Sequence, residues 1–410
     1  MRPNKPKVDV NNWHRPPFFE LDTWAVFAEL YYEVSDNVPM TLGLRYTDEE
    51  KSANTRTIFL SAVDHPDYMN VALGHPLNAT QGKDANGYTA FSYGNSEPTG
   101  RFNIQYDVSD DVMTYVQLSR SFKSGGFNPI SPSNPLVLED PANAYFEPEF
   151  IDTFEIGVKS RLLDGALQAN LTYFYYDYAD LQVAKIVNQT SLNENFDAEI
   201  QGFEGEFAFA PTQNLLLTAN LAWLDAEIGS GESVDPSDPN GSTWLGDGRN
   251  PTDGVVSLGN TNVYLGPDCP STRPTPELFG APGCSGIPRQ LSGNSIPGSP
   301  EFSANLGAIY TVPMAQGANL TLMLNYYWQD EYYSRVFNGP VDTIDSWEVW
   351  NASMRFTAGS SNWYAELWSR NLTDEDNITG QYKVDANSGL STNQFLLDPR
   401  TYGVTLNYVF

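Results

Sequence analysis

Apolar and polar residues alternate one by one along much of this chain, and no other feature restricts its fold as strongly. In the stretch MTLGLRYT at 40–47, hydrophobic residues take every second position and small, polar or basic residues lie between them. Because successive side chains of a strand point to opposite faces, this period of two predicts β-strands with one apolar face. About thirteen segments of roughly 10–14 residues follow the pattern, a length typical of tilted membrane strands. They lie near 22–34, 40–47, 102–108, 112–123, 152–162, 166–178, 203–209, 214–225, 301–312, 320–329, 347–357, 362–372 and 400–410.

The polar phase of these segments carries many charged residues. They are Glu29, Glu33, Glu155, Lys159, Glu204, Glu206, Arg355, Glu366 and Arg370. A soluble sandwich would not bury so many charges on its inner faces. Either phase could still face inward, so alternation alone does not establish a membrane protein. Segment 112–123 alternates poorly, with Arg120 in its apolar phase, and its placement stays open.

The connections between the segments alternate strictly between short and long. The short ones lie at 35–37, 109–111, 163–165, 211–213, 314–318 and 358–361, and the long ones near 51–97, 124–147, 179–198, 229–299, 333–345 and 374–397. In an up-and-down arrangement, this places every long loop at one end, as in outer-membrane barrels. We therefore predict an all-β fold, a transmembrane antiparallel up-and-down β-barrel.

Aromatic residues cluster toward the ends of the predicted strands, near 173–176, 326–328, 347–350 and 363. Membrane barrels carry such girdles at both interfaces, although the ordinary strand propensity of Tyr and Trp also produces clusters. The last strand alternates apolar residues up to its end and would face lipid on that side. No segment approaches the roughly 20 apolar residues of a membrane helix.

Charge and histidine content restrict the function. The chain has 51 acidic and 22 basic residues, a formal net charge of −29, which argues against nucleic acid because phosphate contacts need a basic surface. Cationic partners or divalent ions remain compatible, as does a plain solvated acidic surface. His14, His65 and His75 share no useful spacing, so a histidine-based metal or catalytic site is not expected.

Several stretches together resemble the C-terminal part of TonB-dependent outer-membrane receptors. They are the hairpins at 23–51 and 112–129, the long stretch FEPEFIDTFEIGVKSRLLDGALQANLTYFYYDYADLQV at 146–183, and NLTDEDN at 371–377 followed by PRTYGVTLNYVF at 399–410. The likeness extends over residues 1–410 as one barrel segment. It implies strands ten to twenty-two of a 22-stranded barrel, with no enzymatic activity. A signal peptide, a TonB-contacting box and a plug domain are not recognisable, and an odd strand count makes the first and last strands parallel. We therefore expect a partial gene product, an assembly fragment or one piece of a split receptor, with a miscounted strand or a non-standard parallel closure as the alternatives.

The resemblance also implies a function and partners. The function is capture of a nutrient, typically a ferric siderophore, at the cell surface and import energised by TonB. The partners are outer-membrane lipid and lipopolysaccharide, the small-molecule ligand, the TonB complex through the plug region, and the barrel-assembly machinery, which would recognise Tyr408 and Phe410. The long loops would be extracellular. A passive porin-like channel and a soluble glycan-binding β-protein remain as alternatives.

The long loops contain the candidate ligand-binding residues. Five aromatic side chains could stack on a ligand at the mouth of the barrel, although packing between loops is the favoured role for any one of them: Phe127, Tyr145, Trp244, Tyr333 and Phe337. Cys269 and Cys284 predict a disulfide in an exported protein, with two unrelated thiols as the alternative. Glycine-containing GNSEPTG at 94–100 and SGGFNP at 124–129 have no phosphate-binding context and are interpreted as loop and turn.

Acidic residues offer two further hypotheses. Oxygen ligands for calcium could come from Asp235, Asp238, Asn240, Asp247 and Asp253, but their spacing fails the EF-hand pattern and a solvated loop is the favoured interpretation. Glu204 and Glu206 share one strand face, as a glycosidase pair could. No further groups are fixed around them, so the sequence does not predict an enzyme or a bound cofactor.

Overall fold

The computed structural model describes residues 10–14, 18–55, 57–60, 89–128, 144–187, 190–242, 246, 248–250, 253–258, 261–264, 286–359, 363–385 and 389–408. These residues fold mainly as β-strands joined by loops, and a 3₁₀ turn lies at Ala315–Gly317. Within them, no helix has the length and hydrophobicity to cross a membrane.

The strands of the described residues follow in chain order. They are β1 (Val10–His14), β2 (Phe18–Ser35), β3 (Val38–Thr55), β4 (Thr57–Leu60), β5 (Thr89–Ser109), β6 (Val112–Lys123), β7 (Gly126–Phe127), β8 (Tyr145–Phe146), β9 (Glu149–Leu162), β10 (Leu167–Val187), β11 (Thr190–Thr212), β12 (Leu215–Ser230), β13 (Glu232–Ser233), β14 (Val255–Leu258), β15 (Thr261–Tyr264), β16 (Arg289–Gln290), β17 (Phe302–Pro313), β18 (Asn319–Gln329), β19 (Tyr332–Tyr333), β20 (Thr343–Ile344), β21 (Trp347–Thr357), β22 (Trp363–Arg370), β23 (Ile378–Lys383), β24 (Thr392–Leu396) and β25 (Thr401–Tyr408).

One large sheet dominates the described residues and contains thirteen strands in the order β2-β3-β5-β6-β9-β10-β11-β12-β17-β18-β21-β22-β25. Every neighbouring pair is antiparallel. The sheet therefore runs up and down in chain order, and each predicted segment corresponds to one of its strands. The short connections all lie at one end and the long connections at the other. Because the strand number is odd, the edge strands β2 and β25 run in the same direction, as predicted.

The predicted strand lengths were wrong for the longest hairpins. β5 and β10 each have 21 residues and β11 has 23. The stretch GNSEPTG, interpreted as loop and turn, lies inside β5, and most of the predicted loop at 179–198 continues the β10–β11 hairpin. A β-bulge between Tyr178 and Leu181 lets that hairpin continue, with Asp180 at a φ of 60° supplying the extra residue.

The cross-strand register places the apolar phases on a single face, which we call the apolar face. Leu42 lies opposite Leu30 in β2 and opposite Phe102 in β5, and the same alignment continues to Leu406 in β25. Side chains on this face are unusually open; Val26 is 66% exposed and Leu406 is 75% exposed. A continuous apolar surface of this size needs an apolar environment to cover it.

Aromatic contacts run across the apolar face between neighbouring strands. The rings of Tyr326 and Trp350 lie 4.4 Å apart between centroids. Those of Tyr173 and Phe203 lie 4.9 Å apart, and Trp223 continues the row at 5.9 Å from Phe203. The interfacial girdle itself stays a prediction.

On the opposite surface of the sheet, the polar face, cross-strand ion pairs join some of the charged residues of the polar phase. Arg355 Nη2 lies 2.8 Å from Glu366 Oε2. At the other end of the sheet Arg101 pairs with Glu29, and its Nε donates to Glu29 Oε1 at 3.1 Å. Pairing of this kind satisfies the charges on a face where alternation concentrates them. The predicted grouping of charges on one face is confirmed.

Arg120 is the exception that blurred the alternation of 112–123. It lies on the apolar face opposite Asp152, and its Nη1 lies 2.6 Å from Asp152 Oδ2. The guanidinium also lies 5.1 Å from the centroid of the Phe150 ring. The ion pair and the aromatic ring explain how a basic residue is accommodated in the apolar phase of β6, near the end that leads into a long loop.

Glycines on the polar face receive aromatic rings from the neighbouring strand. Gly202 lies opposite Phe174, and a Cβ at Gly202 would lie 2.6 Å from Phe174 Cζ and closer still to the carbonyl oxygen of Trp223. Trp368 covers Gly403 in the same way, because a Cβ at Gly403 would lie 2.9 Å from Trp368 Cε2. Only glycine permits this close approach of ring and backbone.

Candidate functional site

The long connections fold back over the polar face at their end of the sheet. Phe196 in β11 and Ile228 in β12 belong to the polar-face phase, yet both are buried. They pack in one cluster with Leu291 from the β12–β17 connection and with Val336 and Phe337 from the β18–β21 connection. The two connections therefore form a cap on the polar face of β10–β12, which we call the loop cap.

A second apolar cluster lies beside the loop cap. Ala53, Phe91, Ala144 and Leu192 are buried together, with Phe127 packed against them. The Phe91 and Phe127 rings lie 5.3 Å apart between centroids, and Tyr145 meets both rings edge-on at 6.0 Å. This cluster holds the connection between β6 and β9 against β3, β5 and β11.

An ion network joins the two connections of the loop cap. Arg335 Nη1 lies 2.7 Å from Asp235 Oδ1, and Arg335 Nε lies 2.6 Å from Asp342 Oδ1. Ser237 also donates to Asp235 Oδ1, from its backbone N–H at 2.8 Å and from its hydroxyl at 2.7 Å. Asp342 is 1% exposed and Arg335 17% exposed in their side chains, so the network is largely withdrawn from water.

The network sets the protonation of its central carboxylate. Burial alone would raise the pKa of Asp235, but the Arg335 charge and the hydrogen bonds from Arg335 and Ser237 outweigh burial and lower that pKa below its usual value. Asp235 is therefore ionised at neutral pH. A buried charge with this many partners fixes the position of both connections.

A second ion pair lies within the β10–β11 hairpin, and hydrogen bonds with Ser233 link it to the β12–β17 connection. Lys185 Nζ lies 2.7 Å from Glu194 Oε1 and donates to Ser233 Oγ at 2.6 Å. Ser233 in turn donates to Glu194 Oε2 at 2.7 Å. Only 8% of the Lys185 side chain is exposed.

These contacts border a cleft of about 390 Å³, which we call the loop cleft. Its wall combines residues of the β10–β11 hairpin, both connections of the loop cap and strand β23. The polar groups include Gln182, Lys185, Arg335, Tyr382 and Lys383, and the remaining surface is mostly aliphatic. Burial and the nearby Asp385 carboxylate raise the pKa of Tyr382, so its phenol stays a hydrogen-bond donor at neutral pH. A concave, mostly apolar site with a few polar groups is typical of small-molecule binding.

The predicted ligand-binding aromatics occupy different environments. Phe127 and Tyr145 contact each other, and Tyr145 is 39% exposed. Tyr333 is partly buried in β19. Phe337 lines the loop cleft but is 2% exposed, because it packs in the core of the loop cap. Trp244 lies outside the described residues.

Other predicted site residues are placed only in part. Cys269, Cys284 and Phe410 lie outside the described residues, so the structure does not describe the predicted disulfide or the terminal aromatic. Tyr408 is in β25 opposite Trp363, on the apolar face. Glu204 and Glu206 share the polar face, and Asn170 Nδ2 donates to Glu206 Oε2 at 3.2 Å.

The interpretation of 235–254 as a solvated loop was wrong for its described first part. Asp235 and Asp238 are buried, and Asn240 is 0% exposed. Asp238 accepts from Ser242, while Asn240 donates to backbone carbonyls at 250 and 253. Asp247 lies outside the described residues. In the part that the structure describes, no group of three or more His, Cys, Asp or Glu has the geometry of a metal site.

The sequence did not predict a role for the cationic residues of the loop cleft. Arg335 and Asp235 are 100 positions apart in the chain, so no local spacing connects them. The one indication in the sequence is that basic residues are scarce, 22 in 410, which makes Lys185, Arg335 and Lys383 candidates for a specific role.

Comparison with known proteins agrees with the two-faced sheet. A family model described as TonB dependent receptor-like, beta-barrel, matches residues 8–373. The metal-pseudopaline receptor CntO of Pseudomonas aeruginosa (strain UCBPP-PA14) is 29% identical over 136 residues, which are 33% of this chain and 18% of that receptor.

Two solved structures share the fold at low identity. The ferric yersiniabactin uptake receptor FyuA from Yersinia pestis superposes with a TM-score of 0.64 at 15% identity, covering 96% of this chain and 46% of that one. The siderophore receptor PiuA from Acinetobacter baumannii gives a TM-score of 0.59 at 18% identity, covering 95% and 43%. This chain thus spans less than half of each of these structures. With a family model matching most of its length and a sheet of the same architecture, the chain belongs to the TonB-dependent receptor-like β-barrel family of outer-membrane transport receptors.

Proposed function

We propose that this chain forms part of the barrel wall and the ligand-capturing loops of an outer-membrane receptor that imports a small metal chelate, of the siderophore type, by TonB-energised uptake. The single observation that carries the proposal is the position of the loop cap. It folds over the polar face and leaves the apolar face uncovered, so a concave site lies at one mouth of a polar passage. The relatives named above are described as a metal-pseudopaline receptor, a ferric yersiniabactin uptake receptor and a siderophore receptor.

Each surface then has a role. The apolar face contacts outer-membrane lipid and lipopolysaccharide, with the long connections on the extracellular side. The thirteen strands correspond to strands ten to twenty-two of a 22-stranded barrel, and their polar face lines the lumen. Energy from TonB acts through a plug domain, a part that a barrel wall does not itself supply. The loop aromatics Tyr145 and Tyr333 offer stacking surfaces to the ligand on its way to the cleft.

Two features of the proposal concern export and assembly. We place a disulfide between Cys269 and Cys284, which would stabilise the β12–β17 connection by about 3 kcal/mol on the entropic model. Tyr408 and Phe410 serve as the signal that the barrel-assembly machinery recognises. Thiol labelling with and without reductant tests the disulfide.

The function is tested with outer membranes from cells that produce this chain and from cells with an empty vector. Both are incubated with ⁵⁵Fe-labelled ferric citrate, a ferric catecholate and a ferric hydroxamate, and retained radiolabel is counted after filtration. We expect retention of at least one chelate above the vector control. Equal retention in both membranes would refute the proposal. Uptake is then compared in cells with and without TonB, in a background that supplies any plug-bearing partner.

The alternatives predict other results. A passive porin-like channel would pass unrelated solutes of similar size at equal rates and would conduct in planar bilayers. A soluble glycan-binding protein would be recovered from the aqueous phase without detergent. Either result would replace the receptor proposal.

A further inference from the structure

Asn338 bridges the two connections of the loop cap through its amide side chain. Its Oδ1 accepts a hydrogen bond from the Ser295 N–H at 2.6 Å, and its Nδ2 donates to the Ser295 carbonyl at 3.1 Å. The same Nδ2 donates to the Arg335 carbonyl at 3.1 Å, within its own connection. Because Ser295 belongs to the β12–β17 connection, this amide holds the β18–β21 connection against it at a point separate from the ion network.

The residue that follows Asn338 is Gly339, and an Asn-Gly pair has a chemistry of its own. Once the Gly339 N–H has lost its proton to hydroxide, the nitrogen can attack Asn338 Cγ, because glycine has no Cβ to hinder the approach. A C–N bond forms, the Asn338 Nδ2 leaves as ammonia, and a five-membered imide results. Water then adds to either imide carbonyl and opens the ring, which yields aspartate or isoaspartate.

The closed loop cap opposes this reaction at both reacting groups. Three hydrogen bonds fix the Asn338 amide. Gly339 is buried, and its N–H donates to Asp342 Oδ2 at 2.9 Å, while Arg335 holds the other oxygen of that carboxylate. The amide must leave Ser295 and the nitrogen must leave Asp342 before they can react, so the reaction requires local opening of the cap.

Deamidation would remove the bridge that Asn338 makes. A carboxylate has no donor, so the Ser295 and Arg335 carbonyls would face a negative charge in place of an N–H group. Isoaspartate also adds a carbon to the backbone, at a residue with a φ of 48°. The new carboxylate would lie beside a network in which Arg335 already pairs with both Asp235 and Asp342. The product therefore disfavours the closed cap.

A second Asn-Gly pair among the described residues shows why the position of Asn338 matters. Asn240 precedes Gly241 and is 0% exposed. Its Nδ2 donates to the backbone carbonyls at 250 and 253, which lie in the same connection. Asn240 thus stabilises one connection internally, whereas Asn338 joins two.

We propose that Asn338–Gly339 is a deamidation site that the closed loop cap masks, and that its conversion releases the β18–β21 connection from the β12–β17 connection. Opening of the cap permits the reaction, and the product keeps the cap open, so the change runs in one direction. The inference goes beyond the proposed receptor function and does not depend on which ligand is imported.

Mass spectrometry of proteolytic peptides tests the masking. The full chain in detergent, its Arg335→Met variant and the full chain unfolded in urea are incubated in the same mildly alkaline buffer, and replacement of the amide at 338 by a carboxylate is followed with time. We expect conversion to be slow in the folded chain and fastest in urea. Arg335→Met should accelerate conversion about a hundred-fold, or up to the rate in urea, because the rate follows the open fraction. Arg400→Met, which removes an exposed ion pair, should leave the rate unchanged.

Hydrogen exchange tests the release. Asn338→Asp reproduces the aspartate product and should raise exchange at the Ser334 and Asp342 amides by about ten-fold, the effect of losing a partly buried hydrogen bond. Asn393→Asp is the matched control, because Asn393 is an exposed asparagine of β24 outside the cap, and these amides should keep their protection in it.

Three results would overturn the inference. They are equal conversion rates in the folded and urea-unfolded chain, no acceleration in a folded Arg335→Met variant, and unchanged exchange in Asn338→Asp. The comparison of folded and unfolded chain needs no substitution, so it decides the masking even where Arg335→Met fails to assemble.

Discussion

Replacing Arg335 by Met should release the loop cap, because it leaves two buried carboxylates without their shared cation. Removing one partner of a buried pair costs about 3–5 kcal/mol. Here Asp342 keeps a hydrogen bond from the Gly339 N–H at 2.9 Å, and Asp235 keeps both bonds from Ser237. We therefore expect a loss near the lower end, about 3 kcal/mol, which corresponds to roughly a hundred-fold increase in local opening.

Hydrogen exchange followed by mass spectrometry measures this opening directly. The Ser334 N–H donates to the Asp342 carbonyl at 2.8 Å, and the Asp342 N–H donates to the Gly339 carbonyl at 2.8 Å, so both amides report on the β18–β21 connection. Peptides from β18 and β21 should keep their protection, since the sheet does not depend on the network.

Arg400→Met is the matched control. Arg400 Nη2 lies 3.1 Å from Asp374 Oδ2, but these side chains are 45% and 48% exposed, and such a pair contributes about 0–1 kcal/mol. Exchange near Arg400 should therefore rise by about five-fold or less. Similar increases for the two variants, each in its own loop, would refute the reasoning that burial makes the Arg335 network costly to break.

A triple variant distinguishes the loss of attraction to Arg335 from the cost of burying unpaired carboxylates. Combining Arg335→Met with Asp235→Asn and Asp342→Asn removes the charges that the single variant leaves uncompensated. Part of the protection should return, because neutral amides cost less to bury than unpaired carboxylates. If the triple variant opened more than the single one, hydrogen bonding rather than charge compensation would dominate.

The same network predicts a pH dependence. The folded pKa of Asp235 lies below its unfolded value of about 3.9, so ionised Asp235 contributes stability fully above that unfolded value. The contribution is lost as the pH falls through the lowered folded pKa. Protection factors at Ser334 should thus decline as the pH falls below about 4, and Asp235→Asn should remove this decline. An unchanged pH profile in Asp235→Asn would assign the acid sensitivity to other groups.

The remaining predictions concern the sheet. Gly202→Ala should impair assembly or lower the heat resistance of the folded band in gels, because the added Cβ meets the Trp223 carbonyl oxygen. Gly94→Ala should have a mild effect, since its Cβ would lie 3.9 Å from the nearest oxygen. Equal effects of the two substitutions would contradict the steric argument. Leu324→Lys, on the apolar face, should destabilise the protein by about 2–4 kcal/mol in a bilayer, while Asn325→Lys on the polar face should cost far less. The free energies of unfolding are measured with urea in lipid vesicles. A larger loss for Asn325→Lys than for Leu324→Lys would contradict the assignment of lipid to the apolar face.

The comparison of Leu324 with its neighbour Asn325 shows why the sheet could be predicted from sequence. Alternation is a property of adjacent residues, and a shift of one residue would turn every apolar side chain to the polar face. The register is therefore largely specified by the pattern itself. The alternation of short and long connections then fixed the order and direction of the strands, because short turns can join only antiparallel neighbours.

Arg120 marks the limit of that local signal. Its place in the apolar phase made the segment ambiguous, and the ambiguity disappears only when β9 brings Asp152 alongside. The extension of the β10–β11 hairpin through 179–198 was missed for a related reason. Its residues beyond the girdle no longer alternate strictly, since a bulge at Tyr178 shifts the phase by one residue.

For the large sheet, the amino-acid sequence by itself determined that thirteen strands form, which side chains share a face and in what order the strands pair. Those properties follow from nearest-neighbour geometry along the chain. Only the tertiary structure decided that Asp235 is buried rather than solvated, that Arg335 reaches it across 100 positions, and that Lys383 lies on the wall of a cleft. Such contacts depend on how separate connections pack over the polar face, and because loop packing has no period, no local pattern encodes it.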